Sequence, residues 1–257
     1  NLKKCINFSY LYNLRLEVKD MENRRLNTLL AAGCAAAFLT PLGAQGASLD
    51  VDKTTQTITG NYAPVTITGV DGNEGTLNVN ATGDITLGTT TLNGYSNINS
   101  QGTYAITFSD KIIINATNNT LNFTTNPNVT VANGISVADS GAVNLSMAGV
   151  TTKPSLALGD AAVANFSGNA ALGAVTMDST ENYSALNLKN GAANSVVMDS
   201  LAVEGDTDAY LGLDLSFNGA ENSDYVSVGE SSDANFLISD DLIQILDAPA
   251  SGTKTVF

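Results

Sequence analysis

The fold class is decided by a stretch of alternating residues at positions 76–87, which reads TLNVNATGDITL. Apolar residues alternate with Thr and Asn on both sides of its centre. This period of two is typical of β-strands with one buried face. The Gly83-Asp84 pair at the centre favours a tight turn, because Gly and Asp tolerate positive φ. The stretch therefore predicts two short strands joined by a turn.

The same texture continues through the chain from residue 47 onward. Further alternating runs lie at 57–59, 65–68, 105–108, 121–124, 129–131, 135–137, 143–145, 186–188 and 225–228. Turn-forming Gly, Asn and Asp separate these runs, and no long window shows apolar residues at helical spacing. Strands that recur roughly every ten residues fit an antiparallel sandwich or barrel, or a parallel β-solenoid.

Three features favour the solenoid. The texture does not change over about 200 residues, which is longer than most sandwiches. The polar alternates are Thr, Asn and Ser, whose side chains stack well in ladders between coils. Aromatic residues make up only 6% of the chain, and tryptophan is absent. We therefore predict an all-β parallel solenoid with coils of about 20–25 residues, although no regular repeat can be registered. The residues expected to point into one elongated core include Ile67, Leu77, Val79, Val131, Val137, Leu145, Leu188 and Val228.

Residues 21–46, MENRRLNTLLAAGCAAAFLTPLGAQG, have the pattern of a secretory signal peptide. Arg24 and Arg25 precede an apolar stretch that is short and alanine-rich for a membrane span. The stretch ends at the small-x-small triplet Ala44-Gln45-Gly46, which predicts cleavage before Ala47. Lipoprotein processing at Cys34 is a weaker alternative, because it would cut the apolar core in its middle.

Residues 1–20 share no pattern with the rest of the chain. Leu16-Glu17-Val18 can be encoded by a sequence that contains GGAGG, a bacterial ribosome-binding sequence, upstream of the Met21 codon. We therefore expect residues 1–20 to be an untranslated leader or an unstructured extension.

Residues 47–257 are strongly acidic and chemically sparse. They contain five lysines, no arginine and 22 acidic residues, a formal net charge of −17, and they lack His, Cys and Trp. Such a surface argues against nucleic acid and anionic lipid as ligands. Without His or Cys, neither a Ser-His-Asp nor a Cys-His centre can form. We expect no catalytic, cofactor-binding or metal site, no cofactor, and no enzymatic activity.

Two carboxylate pairs have the residue type for catalysis or calcium binding, namely Asp206 with Asp208 and Asp240 with Asp241. The required ligand spacing is missing, so both pairs are interpreted as solvated acidic turns. Asp139-Ser140-Gly141 is likewise interpreted as a turn, because no histidine is present to activate the serine.

Residues 209–257 carry a resemblance to a known family. The strand Leu211-Gly212-Leu213-Asp214-Leu215, the run at 223–229 and the apolar run at 242–246 are similar to the C-terminal end of pertactin-like autotransporter passengers. The match covers about one fifth of the chain. It implies a right-handed parallel β-helix at 47–208, with C-terminal coils at 209–257 that seed folding. It also implies a membrane barrel beyond the point where this sequence stops.

The resemblance implies a bacterial passenger that is exported through the general pathway to the outer membrane and cell surface. It would act without catalysis, in adhesion or as a structural stalk. Its partners would be proteins or glycans of host or neighbouring cells, and the barrel would connect it to the outer membrane. One alternative is a β-helical polysaccharide-degrading enzyme, although few cations are present to stabilise developing charge. The other alternative is a two-partner-secreted haemagglutinin-like adhesin, because Asn126-Pro127-Asn128 resembles a motif of that family. A plain turn is the simpler interpretation of these residues.

Within this assignment, residues 209–257 are expected to form the most stable coils, because their apolar alternation is the densest in the chain. Leu213 is expected to lie in the core and Ser216 on the surface. An Asp at position 213 should then stop folding, whereas one at position 216 should not.

Overall fold

The computed structural model describes residues 46–205, 209–216, 222–231, 236–237 and 243–247. All of them belong to one compact unit, Gly46–Phe257. Residues 1–20 and all but the last residue of the signal peptide lie outside the described residues. The same is true of both predicted acidic turns, at 206–208 and 240–241.

The described part of the chain is built from short strands. In chain order they are β1 Ala47–Asp52, β2 Thr55–Ile58, β3 Tyr62–Thr68, β4 Gly75–Ala81, β5 Ile85–Leu87, β6 Thr90–Asn93, β7 Ser96–Gly102, β8 Ile106–Phe108, β9 Ile112–Ile114, β10 Asn119–Asn122, β11 Val129–Val131, β12 Ile135–Val137, β13 Ala142–Ser146, β14 Leu156–Leu158, β15 Val163–Phe166, β16 Ala170–Asp178, β17 Ala185–Asn187, β18 Ser195–Glu204, β19 Ala209–Ser216, β20 Tyr225–Ser231, β21 Phe236–Leu237 and β22 Ile243–Asp247. Alternating burial runs along most of them; β4, for example, buries every second side chain.

The strands stack into three parallel walls. Wall 1 contains β1, β3, β6, β9, β12, β14 and the later parts of β16, β18 and β20. Wall 2 contains β2, β4, β7, β10, β13, β15, β17, β19 and β21. Wall 3 contains β5, β8, β11 and the first parts of β16, β18 and β20. The chain visits the walls in turn, so each circuit makes one coil of a parallel β-solenoid. The all-β solenoid prediction is confirmed, and its right-handedness stays a prediction.

The coils differ in length, which explains why no regular repeat could be registered. In wall 2, Thr76 pairs with Asn97, Thr120 pairs with Asn144, and Asn187 pairs with Gly212. Between the last two of these pairs, Asn144 pairs with Asn165 and Asn165 with Asn187. The sequence separation between stacked partners therefore varies from coil to coil, between 21 and 25 residues. Parallel pairing tolerates this drift, because the extra residues fall in the turns between walls.

One apolar core runs through the stack. Side chains of neighbouring coils lie directly on one another; in wall 1 the row is Val51, Ile67, Leu92, Ile114, Val137, Leu158 and Met177. Seven of the eight predicted core residues are buried, and Val228 is half-buried against the same cluster. Burying one such side chain contributes about 1.5–3 kcal/mol, so the interior row is a main source of stability.

The expectations for β19 hold only in part. Leu211 is buried as predicted, and Leu213 is half-buried against the same core cluster. Ser216, which was expected on the surface, is buried, and so is Asp214. Ser216 therefore cannot serve as the exposed position of this strand.

Candidate functional site

The outer face of wall 2 carries two rows of Thr and Asn. The first row contains Thr55, Thr76, Asn97, Thr120, Asn144, Asn165 and Asn187, and the second contains Thr57, Asn78, Asn99 and Asn122. We call these residues the Asn/Thr face. Pairing register places each residue over its neighbour at the strand spacing of about 4.8 Å, and the two rows run side by side about 7 Å apart.

Side-chain hydrogen bonds between coils fix the amides of this face. The Asn99 Nδ2 donates to Asn78 Oδ1 at 3.0 Å. Farther along, Asn165 Nδ2 donates to Asn144 Oδ1 at 3.1 Å, and Asn187 Nδ2 donates to Asn165 Oδ1 at 2.8 Å. Each amide retains further donor and acceptor capacity beyond these bonds. The face therefore presents ordered polar groups of both kinds to a partner.

A loop projects at the corner where wall 1 meets wall 2. β3 and β4 are joined by six residues, 69–74, whereas β6 and β7 in the next coil are joined by Gly94 and Tyr95 alone. The pairing register confirms that the first loop has four residues more than the second. Thr68 pairs with Asn93 and Gly75 pairs with Ser96, so the ends of the two connections coincide. Val70 and Asn73 close the tip by exchanging two backbone hydrogen bonds of 3.0 and 2.9 Å.

The loop forms one side of a solvent-open groove of about 420 Å³. Its lining residues are all polar or Gly: Lys53, Thr54, Thr55, Gly72, Asn73, Glu74 and Thr76. Thr55 and Thr76 are also the first two members of the Asn/Thr face. We call this cavity the corner groove; it is the start of the face rather than a separate surface.

The sequence reasoning missed the corner groove. It treated the Gly, Asn and Asp residues between the alternating runs alike as turn formers, but a turn is recognised as an insertion only when neighbouring coils are aligned. The signal was present in the contrast between the loop at 69–74 and the two-residue turn at Gly94-Tyr95. Without a regular repeat, the two turns could not be placed beside one another.

Asp160 braces turns of neighbouring coils. Its Oδ1 accepts the backbone N–H of Glu181 at 3.0 Å and of Asn182 at 2.8 Å, while its Oδ2 accepts the Asn182 side-chain amide at 2.8 Å. These hydrogen bonds lower the pKa of Asp160, and the bond from the Asn182 side chain has the largest effect. The carboxylate is thereby used inside the scaffold.

The structure brings together two carboxylates that the sequence did not pair. Asp214 Oδ2 accepts the backbone N–H of Asn190 at 2.8 Å and of Gly191 at 2.6 Å. Asp224 Oδ2 accepts the Asp214 N–H at 2.6 Å, and its Oδ1 accepts the Asn194 N–H at 2.7 Å. Burial raises the pKa of Asp224, and the nearby Asp214 charge adds to this. The pair ties the turn between β17 and β18 to the end of β19 and to the segment before β20, which is a structural role.

The remaining motifs also have structural roles. Asp139-Ser140-Gly141 forms the predicted turn, in which the Asp139 Oδ1 accepts the Asp160 N–H at 3.1 Å. The segment Asn126-Pro127-Asn128 precedes β11 as expected. The buried Asn126 side chain donates to the carbonyl oxygens of Gln101 at 3.1 Å and Tyr104 at 2.9 Å, so it joins two coils.

Metal-ligating side chains do not cluster in the residues that the structure describes. Within those ranges, no group of three or more His, Cys, Asp or Glu side chains is arranged to hold a metal ion. In the same part of the chain, no helix is long and apolar enough to cross a membrane.

Comparison with known proteins adds no relative. No protein-family model, no curated protein and no solved structure matches this chain.

Proposed function

We propose that this protein is an exported passenger of a bacterial autotransporter that acts in adhesion or as a surface stalk. In this proposal the Asn/Thr face is the contact surface, and its partners are proteins or glycans of host or neighbouring cells. The protein acts without catalysis, and a membrane barrel beyond residue 257 connects it to the outer membrane.

The observation that carries the proposal is the hydrogen-bonded Asn/Thr face on a parallel β-solenoid. A solenoid adds coils without changing its cross-section, so a row of identical groups can be extended along its length. Asn165 takes part in two of the inter-coil bonds, which limits the side-chain freedom that a partner would otherwise have to restrict. The pattern of residues 21–46 supports export, and β1 begins at Ala47, the residue after the predicted cleavage position.

Adhesion is tested with beads coated with the purified full chain and applied to cultured epithelial cells and to bacterial cells. The face variant Asn99→Glu with Asn122→Glu adds two charges at paired positions of wall 2. We expect this variant to reduce bead adhesion several-fold. Its circular dichroism spectrum should retain the wild-type β signal, because both side chains point outward.

The matched control places the same two charges on another wall. Thr66 and Thr91 are paired, half-buried neighbours on the outside of wall 1. Thr66→Glu with Thr91→Glu therefore introduces the same cross-strand repulsion without touching the Asn/Thr face. Equal loss of adhesion in both variants, or no adhesion by the wild-type chain, would overturn the proposal.

Export is tested separately by mass spectrometry of the protein secreted from a Gram-negative host. We expect Ala47 at the mature N-terminus. A lipid-modified Cys34 at that position would instead establish the lipoprotein alternative, and retention of an uncut chain inside the cell would argue against export.

A further inference from the structure

We propose that the corner groove is a binding site for a neutral glycan with vicinal hydroxyl groups. This inference rests on the adhesive function proposed above and assigns to it a site and a ligand class. It follows from the shape, rigidity and donor–acceptor composition of the groove.

The loop that forms the groove is fixed at its base. Gly69 donates its N–H to the Gly94 carbonyl oxygen at 3.0 Å, and Gly75 donates to that of Tyr95 at 3.1 Å. A Cβ atom on Gly69 would collide with the Tyr95 carbonyl oxygen, and one on Gly75 with the Thr68 carbonyl oxygen. Both glycines are therefore required by close backbone approach, and the inserted loop has a defined position before any ligand binds.

The opposite side of the groove is fixed as well. Lys53 donates its backbone N–H to the Thr68 carbonyl oxygen at 2.8 Å, and Thr76 donates to that of Thr54 at 2.8 Å. Lys53 has a φ of 50°, a left-handed conformation that is unfavourable for a lysine. Asn or Gly would suit this backbone better. The backbone of Lys53 is therefore held in place by its pairing with Thr68, which fixes this edge of the groove.

The polar groups of the groove suit hydroxyl groups. The Asn97 Nδ2 donates to Glu74 Oε2 at 2.7 Å and so orients the carboxylate. A carboxylate has about four acceptor positions, so the Glu74 group can still accept from two neighbouring hydroxyls. The Lys53 ammonium and the Asn73 amide supply donors to the hydroxyl oxygens. Vicinal hydroxyls match this arrangement because each of them donates and accepts.

Charge favours a neutral glycan over an acidic one. The groove is lined by one cationic residue, Lys53, whose ammonium lies 3.3 Å from the Asp52 carboxylate, and by one acidic residue, Glu74. The whole chain has a formal net charge of −14. An acidic sugar would meet an excess of negative charge both locally and at a distance.

The inference is tested with the full chain and a panel of neutral oligosaccharides of glucose, galactose or mannose, alongside a sialylated oligosaccharide. Binding is measured by isothermal titration calorimetry, and backbone amide shifts locate it. We expect at least one neutral oligosaccharide to bind and to shift the amides of Lys53, Gly72 and Asn73. Glu74→Gln and Lys53→Asn should each raise Kd about tenfold, because each removes a charge-assisted hydrogen bond.

Asp71→Asn is the matched control. It removes one carboxylate from the same loop at an exposed position that does not line the groove. We expect its Kd to equal that of the wild type. The inference is overturned if no neutral oligosaccharide binds, if the sialylated sugar binds tighter, or if Asp71→Asn weakens binding as much as Glu74→Gln. In each of those cases the bead assay can still show adhesion through the Asn/Thr face, so the two failures are distinguishable.

Discussion

The coils at 62–131 and those at 162–216 have the same wall arrangement but different interiors. Large side chains such as Leu77, Ile98 and Phe108 are fully buried in the first region. In the second, four buried positions hold alanine, namely Ala162, Ala164, Ala170 and Ala209, against Ala81 alone in the first. Both regions bury neutral polar side chains, but only the second buries a carboxylate, that of Asp214. The second region therefore buries less apolar surface at several positions and has a buried carboxylate. A high density of apolar residues in the sequence therefore does not ensure that their side chains are closely packed in the structure.

This difference bears on the expectation that residues 209–257 form the most stable coils. In the described strand β19, Leu213 and Leu215 are half-buried, although both contribute to the apolar alternation of the sequence. The burial pattern favours the coils at 62–131 as the more stable region. Amide exchange under native conditions compares them directly: slower exchange in β4 and β7 than in β19 would support this ranking.

The largest expected effect comes from placing a charge in each region. Leu121→Asp puts an unpaired carboxylate at a fully buried position, which costs about 3–5 kcal/mol or more, a large part of a typical folding free energy. Leu213→Asp puts it at a half-buried position and should cost clearly less. Urea unfolding measures both. Asn122→Asp is the control: its Oδ1 already accepts from Thr124, so little should change. A larger loss of folding free energy for Leu213→Asp than for Leu121→Asp would show that the second region, not the first, is the more stable one.

The next effect is specific to the second region. Gly212 lies against Asn187, and a Cβ atom there would collide with the Asn187 Oδ1. Gly212→Ala should therefore destabilise the fold by about 1–3 kcal/mol. Asn187→Ala removes the colliding atom but also the hydrogen bond from Asn187 to Asn165, so the double variant should lose less stability than the two single variants added together. Gly60→Ala is the control, because nothing lies within 4 Å of its new Cβ. Additive losses in the double variant would show that the contact with Asn187 is not the cause.

Gly212 also shows where reasoning from the sequence stops. The stretch at 76–87 was sufficient to predict β4, β5 and the turn between them, because alternation and turn chemistry are local. The need for glycine at position 212 comes from Asn187, its partner in the preceding coil, whose side chain leaves no room for a Cβ atom. The local alternation of apolar and polar residues carries no information about contacts between coils.

The candidate site has the same limit. The Thr and Asn ladders were predictable as a class, because outward residues of stacked parallel strands align. The corner groove was not, because it requires knowing that the loop at 69–74 lies beside the turn at Lys53-Thr54. That adjacency depends on register, and the drift in coil length prevents the register from being read off the sequence.

A smaller effect is expected on the Asn/Thr face. Asn165→Ala removes one bond donated to Asn144 and one accepted from Asn187, and should cost about 1–2 kcal/mol. Asn99→Ala, in the first region, removes the bond to Asn78 and should cost about half as much. Thermal unfolding measures both. Asn165→Asp keeps the acceptor but loses the donor, so it should fall between wild type and Asn165→Ala. Equal effects at 99 and 165 would show that the number of inter-coil amide bonds does not determine the loss.

The smallest expected effect is a change in pH dependence, confined to the second region. Burial and the charge of Asp214 raise the pKa of Asp224, so the folded protein takes up a proton there more readily than the unfolded chain. This group should therefore add stability as pH falls from neutrality through its raised pKa, and the gain should be complete below the ordinary value of 3.8.

Asp160 acts with the opposite sign. Its pKa is lowered by hydrogen bonds from Asn182, so its contribution is present above the ordinary value of 3.8 and is lost as pH falls through the lowered one. Urea midpoints of the wild type, Asp224→Asn and Asp160→Asn are compared at about pH 7, 5 and 3, which bracket the usual range for Asp. Asp224→Asn should lose the gain on acidification, because its amide does not titrate. Asp160→Asn should be less stable at neutral pH and should lose less stability at the acid end. If Asp224→Asn keeps the wild-type dependence over the whole range from about pH 7 to about pH 3, the pKa of Asp224 is not raised by burial as its surroundings indicate.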